Sequence, residues 1–164
     1  MILVNLLDLW TEQKVEYILA GGQACVLYGV PRMTFDIDLL LNLTQENLER
    51  FVKVLDPYGY RPKIPISLLD LKDKDLVSSW ISQKNMKALN LSSEANPEID
   101  VLLDVPVTYE SAKLNCEYKS FRSIKIPLLG LDDLILCKKV AGRPQDLSDL
   151  KALELIKYRR WKDE

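Results

Sequence analysis

Residues 21–41 read GGQACVLYGVPRMTFDIDLLL, and the fold turns on how this stretch is parsed. The apolar residues Tyr17 to Ala20 run straight into Gly21-Gly22, which predicts a short buried strand ending in a tight turn. Gly22 to Tyr28 then reads as a helix, stopped by Gly29 and Pro31. Phe35 to Leu41 has the alternation of a strand: Asp36 and Asp38 fall on one face, Phe35, Ile37 and Leu39 on the other. A helix N-terminus offers unpaired N–H groups and a positive dipole end to phosphates, and glycines let the phosphates approach. Two carboxylates on one strand face repel each other, a conflict that a hard cation such as Mg²⁺ removes. Asp100, near the start of another apolar strand predicted over Glu98 to Val105, is the third acid of the set. Gly-Gly alone is more often just a turn, and Asp-x-Asp alone is often an exposed strand end; their order, with one helix between, gives the pattern its weight.

Outward from this stretch, Met1 to Glu12 has apolar residues at helical spacing and predicts an amphipathic helix. Thr44 suits the N-cap of a helix over Gln45 to Leu55, with Leu48, Phe51, Val52 and Leu55 on its inner face. Asp56 to Pro65 reads as a loop, Ser67 to Ser82 as a helix, Met86 to Leu91 as a strand and Ser92 to Pro97 as a turn. Val107 to Ala112 predicts a short helix and Glu117 to Ile126 one or two extended pieces. Leu131 to Ala141 and Gln145 to Tyr158 form a C-terminal helical pair, parted by Gly142-Arg143-Pro144. Strands mixed with helices in this order predict an α/β (α+β) domain, a small mixed sheet flanked by helices, spanning residues 1–164 as one unit.

Composition narrows the chemistry. The 164 residues are 48% hydrophobic and 28% charged, as in a folded globular protein, and no apolar run is long enough for a membrane-spanning helix. Three widely spaced cysteines, Cys25, Cys116 and Cys137, fit reduced thiols, and with no leader-like N-terminus a cytoplasmic location is expected. The sequence contains no histidine, which excludes Ser-His-Asp, Cys-His and histidine–zinc catalysis. The net charge of −2 is not that of a general nucleic-acid binder, although eight Lys or Arg against three Asp or Glu crowd residues 138–162.

Gly21-Gly22, Arg32, Thr34, Asp36-Ile37-Asp38 and Ile99-Asp100-Val101 together resemble the polymerase-β-type nucleotidyltransferase superfamily. The run from Gly29 to Asp38 and the spacing Lys139, Arg143, Asp146, Asp149 are similar to small AbiEii-like members. The resemblance implies a nucleotidyltransferase-like fold and transfer of an NMP from an NTP to a hydroxyl on RNA, such as tRNA, or on protein, in a toxin–antitoxin setting. It implies that Asp36, Asp38 and Asp100 bind catalytic Mg²⁺ or Mn²⁺, with Asp100 also helping to activate the attacking hydroxyl. Gly21 and Gly22 would contact the triphosphate, and Gln23, Arg32, Thr34, Lys139 and Arg143 would take part in nucleotide binding. Many superfamily members carry Gly-Ser where this chain has Gly21-Gly22, and Gln23 is the nearest substitute for the missing hydroxyl.

Plainer readings stand beside these. Arg32 is equally placed to form a structural ion pair with Asp36 or Asp38, and Lys138 to Asp149 to form a solvated, salt-bridged helix face. Asp104 suits a turn with Pro106, Trp10, Trp80 and Trp161 suit packing, and Tyr158 to Lys162 suit a solvated helix end. For the whole chain, the alternative is a nucleotide-binding or interaction module that keeps the fold without turnover, and a purely structural protein stands third.

Overall fold

A computed structural model describes residues 2–163; Met1 and Glu164, which the predicted N-terminal helix and the predicted domain span include, lie outside them. In chain order the elements are α1 (Ile2–Glu12), β1 (Tyr17–Leu19), α2 (Gly21–Tyr28), β2 (Ile37–Leu41), α3 (Gln45–Leu55), β3 (Arg61–Pro62), α4 (Lys74–Lys84), β4 (Ala88–Ser92), β5 (Ile99–Leu102), α5 (Tyr109–Leu114), β6 (Glu117–Phe121), β7 (Ile124–Leu128), α6 (Leu131–Ala141) and α7 (Pro144–Asp163). The strands form one mixed sheet in the order β3-β4-β5-β2-β1-β7-β6, the α/β arrangement that the sequence pattern predicts.

The centre of the sheet positions the acids. β2 runs antiparallel to β1 and parallel to β5, in a register that sets Asp38 beside Asp100. β4 continues antiparallel with Asn90 opposite Asp100. Residues paired across a ladder share a face, so Asp38, Asp100 and Asn90 stand in a row on one side of the sheet. Ile37, Leu39, Ile99 and Val101 are fully buried, and they anchor that register through the core.

Several boundaries differ from the sequence reading. The strand predicted from Phe35 begins at Ile37, and Phe35 is 72% exposed. The cause is the partners: β1 ends at Leu19, opposite Leu39, and β5 begins at Ile99, opposite Ile37, so no strand pairs with Phe35 or Asp36. Asp36 therefore precedes the strand, so its side chain is not fixed by the pleat. The helix predicted over Ser67 to Ser82 is a short 3-10 turn, Leu68–Lys72, followed by α4. Asp73 adopts extended backbone there, and its carboxylate accepts from the N–H groups of Asp75 and Leu76 at 3.1 and 3.0 Å, which starts a new helix. Thr44 occupies the N-cap of α3 with no side-chain cap bond, and the predicted loop 56–65 holds a 3-10 turn and the two-residue β3. β4 starts two residues after the predicted Met86 and runs one past the predicted Leu91, β5 keeps only Ile99–Leu102 of the predicted Glu98 to Val105, α5 lies two residues later than predicted, and α7 continues past Tyr158 to Asp163.

One apolar cluster joins the sheet to its helices. Trp10 is fully buried, its ring 5.0 Å from that of Tyr17 and 5.7 Å from that of Phe51, and Trp80 is buried as well; Trp161 is exposed. Inside α3, Leu48, Phe51 and Leu55 are buried as predicted; Val54 rather than Val52 completes the face. The buried Asn47 accepts from the Glu16 N–H at 2.7 Å and donates to the carbonyls of Glu16 and Asn42, which ties α3 to the ends of β1 and β2. The three cysteines are free thiols, and no helix among the described residues is long and apolar enough to cross a membrane.

Candidate active site

Gly21 and Gly22 sit where β1 gives way to α2, facing the acidic strand. Gly21 has φ +53°, and a Cβ there would fall 1.9 Å from Asp38 Oδ2; a Cβ on Gly22 would fall 2.4 Å from Thr34 Oγ1. Glycine is thus required by the close approach of Asp38 and Thr34, a sharper reason than the sequence offered. The Gly22 N–H donates to Asp38 Oδ2 at 3.2 Å, so a carboxylate already meets the positive end of α2, whose N-cap Ala20 has no side chain to do so.

Gly21, Gly22, Asp36, Asp38 and Asp100 line one cavity of about 300 Å³, together with Arg32, Thr34, Lys138, Arg143 and Asp146. That volume lies at the lower end of the roughly 300 to 1,000 Å³ usual for small-molecule sites. Burial pushes the Asp38 carboxyl above its ordinary range, the Gly22 N–H opposes this, and the charges of Asp100 and Asp36 add to the rise. Asp100 is likewise pushed up by burial and by Asp36 and Glu98, against a 2.7 Å hydrogen bond donated by Asn90 Nδ2 to its Oδ1. Negative charge is therefore concentrated here beyond what its neighbours neutralise.

A divalent cation is tested by these same groups. Among the described residues no three His, Cys, Asp or Glu side chains are gathered as closely as one ion's shell demands. The reason is local: Asp36 precedes the strand, Asp38 Oδ2 is turned to Gly22, and Asp100 Oδ1 is held by Asn90. The donor set is nonetheless all carboxylate oxygen, with an excess of charge that penalises its ionised state, which fits Mg²⁺ or Mn²⁺ in kind.

The cationic side differs most from expectation. Arg32 pairs with neither Asp36 nor Asp38; its Nη1 meets Asp149 Oδ2 at 2.5 Å. Lys138 Nζ lies 2.9 Å from Asp146 Oδ1 and 2.8 Å from Asp149 Oδ2, and Arg143 Nε lies 2.7 Å from Asp146 Oδ2. Lys138, Asp146 and Asp149 are 4%, 1% and 1% exposed, so this is a buried network and not a solvated helix face. Burial alone would push the Lys138 ammonium down, but hydrogen bonds to Asp149 and Asp146 hold it above its ordinary value. Burial would raise Asp146, yet Arg143 and Lys138 bring it down to about 2. Three cations against two carboxylates leave one positive charge facing the acids of the cavity. Lys139, expected at the nucleotide, instead pairs with Glu154 at 3.2 Å outside the cavity, and its neighbour Lys138 takes the inner position. Gln23 is not in the lining; its amide reaches the Thr34 carbonyl at 3.5 Å. Asn90 had no signal in the sequence, since its place beside Asp100 is a matter of register alone.

The model for a family described as nucleotidyltransferases of unknown function (DUF6036) matches residues 2–163. No curated protein sequence matches the chain. Among solved structures, the lincomycin-bound lincosamide antibiotic adenylyltransferase LnuA is 20% identical, with 94% of this chain and 95% of that chain covered and a TM-score of 0.63. A Thermotoga maritima protein provisionally assigned as a nucleotidyltransferase is 15% identical, with 99% and 91% covered and a TM-score of 0.59. At these identities the two structures show a shared fold.

Proposed function

This chain belongs to the family of nucleotidyltransferases of unknown function, and from that premise we propose that it moves an NMP from an NTP to an acceptor hydroxyl, with release of pyrophosphate. The observation that carries the proposal is the single cavity where the Gly21-Gly22 turn meets Asp36, Asp38 and Asp100. The turn and the start of α2 would receive the triphosphate, with Arg32, Thr34 and Arg143 at its sides and Lys138 supplying positive charge from behind. Asp36, Asp38 and Asp100 would hold Mg²⁺ or Mn²⁺, which when bound would offset the carboxylate and phosphate charge and favour ionisation of the acceptor hydroxyl. Asp100 has one carboxylate oxygen engaged by Asn90, leaving Oδ2 to accept the hydroxyl proton.

The residues described hang together through one apolar cluster, which supports reading the chain as a single catalytic unit. The AbiEii-like affinity, the toxin–antitoxin setting, a cytoplasmic location and an RNA or protein acceptor rest on the sequence motifs and are part of the proposal. Incubation of the purified protein with each γ-labelled NTP, Mg²⁺ or Mn²⁺ and a tRNA or cell-extract mixture as acceptor, read by release of labelled pyrophosphate, tests the reaction. Asp36→Asn and Asp38→Asn should each lower turnover by about 10²-fold or more; undiminished turnover in either would remove that residue from the site. Metal-dependent NTP binding without pyrophosphate release against any acceptor would favour the inactive-module alternative.

A further inference from the structure

Past the Asp38–Asp100 pair a second cavity opens, of about 1020 Å³, that shares Asp38, Asp100, Leu102, Cys137 and Arg143 with the first but not Gly21 or Gly22. In phosphoryl transfer the attacking and leaving oxygens lie in line on opposite sides of the phosphorus. With the triphosphate on the glycine turn, the acceptor must approach the α-phosphorus from the side away from that turn, and this cavity includes the acids while leaving out the turn. Its walls carry Ile64, Ile66, Met86 and Val140, the last 65% exposed on α6.

The cations of this lining, with one exception, are already matched. Lys63 pairs with Glu98, Lys87 with Asp104 and Arg143 with Asp146, and only Lys84 has no carboxylate partner among the described residues. A polynucleotide is bound by a surplus of unpaired Lys and Arg along its phosphates. On the C-terminal helices Lys138, Lys139, Arg143, Lys157 and Arg160 meet carboxylates; Lys151, Arg159 and Lys162 have no carboxylate partner among the described residues, but none of these three lines the cavity. A concave, largely apolar lining with a few polar groups is instead the character of a small-molecule site.

We propose that this second cavity is the acceptor subsite and that it takes a small hydroxyl-bearing molecule with an apolar body. The inference rests on the nucleotidyl-transfer reading. The acceptor oxygen forms a bond to the α-phosphorus, its proton passes to Asp100 Oδ2, and the bond from the α-phosphorus to the bridging oxygen breaks, its electron pair leaving with pyrophosphate.

The test uses the full chain with Mg²⁺, a non-hydrolysable ATP or GTP analogue, and three probes: octyl β-glucoside below its micellar concentration, p-nitrophenyl β-glucoside, and tRNA. Binding of a glucoside to the native protein, weakened at least tenfold in the cavity-filling Val140→Trp while analogue binding is unchanged, is the expected result. Met86→Trp is the second filling variant, in case Val140→Trp fails to fold. Binding of tRNA with neither glucoside bound, or glucoside binding indifferent to both variants, overturns the proposal. Absence of analogue binding by the native protein overturns the nucleotidyl-transfer reading itself, and the acceptor proposal falls with it.

Discussion

Replacing Lys138 by Met decides between a buried network and a solvated salt-bridged face. The ammonium lies 2.9 Å from Asp146 and 2.8 Å from Asp149, and all three side chains are nearly inaccessible. An exposed pair of this kind contributes at most about 1 kcal/mol. Removing one partner of a buried pair costs about 3 to 5 kcal/mol, because the remaining charge is left without water or counter-charge. Here Asp146 keeps Arg143 at 2.7 Å and Asp149 keeps Arg32 at 2.5 Å. The lower end, about 3 kcal/mol, is therefore expected. For a domain of this size that corresponds to a fall in Tm of roughly 6 to 12 °C. Thermal and urea unfolding followed by circular dichroism measure it. Lys138→Met/Asp149→Asn should be less destabilised than the two single losses added together, since the second change removes the orphaned charge. A loss below about 1 kcal/mol for Lys138→Met, with additive behaviour in the double variant, would refute the reasoning.

The remaining predictions follow from other contacts. Gly21→Ala forces a left-handed backbone on a residue whose Cβ meets Asp38, so it should destabilise the fold by about 1 to 3 kcal/mol and lower NTP affinity, read by urea unfolding and calorimetry. Asn90→Leu removes the donor that orients Asp100; turnover should fall while NTP affinity measured by calorimetry holds, and an equal fall in affinity would assign Asn90 to binding. Asp146 ionises at about 2 in the folded chain against its ordinary 3.8, so it stays charged where the unfolded chain is protonated. Its stabilisation is present above pH 4 and is lost as pH falls from about 4 to about 2, a slope that unfolding curves should show and Asp146→Asn should flatten.

The sequence by itself determined the strand, glycine turn and acidic strand around Gly21 to Leu41, the C-terminal helical pair, and a chemistry free of histidine. These are local: periodicity fixes the faces of a helix or strand, and glycine and proline punctuate them over a few residues. Even there, periodicity extends the pleat to Asp36, whereas the strand begins at Ile37, because a strand's first residue depends on where its partner's ladder begins. What tertiary structure decided was everything that pairs distant segments. The β2–β5–β4 register brought Asp38, Asp100 and Asn90 into one row, a choice made by ladder hydrogen bonds and by the burial of Ile37, Leu39, Ile99 and Val101. The packing of α6 and α7 chose Lys138 over Lys139 as the inner cation and drew Arg32 to Asp149, because burying Asp146 and Asp149 required counter-charges from whichever side chains faced inward. Helical spacing alone leaves adjacent lysines equivalent; only the neighbour they pack against tells them apart.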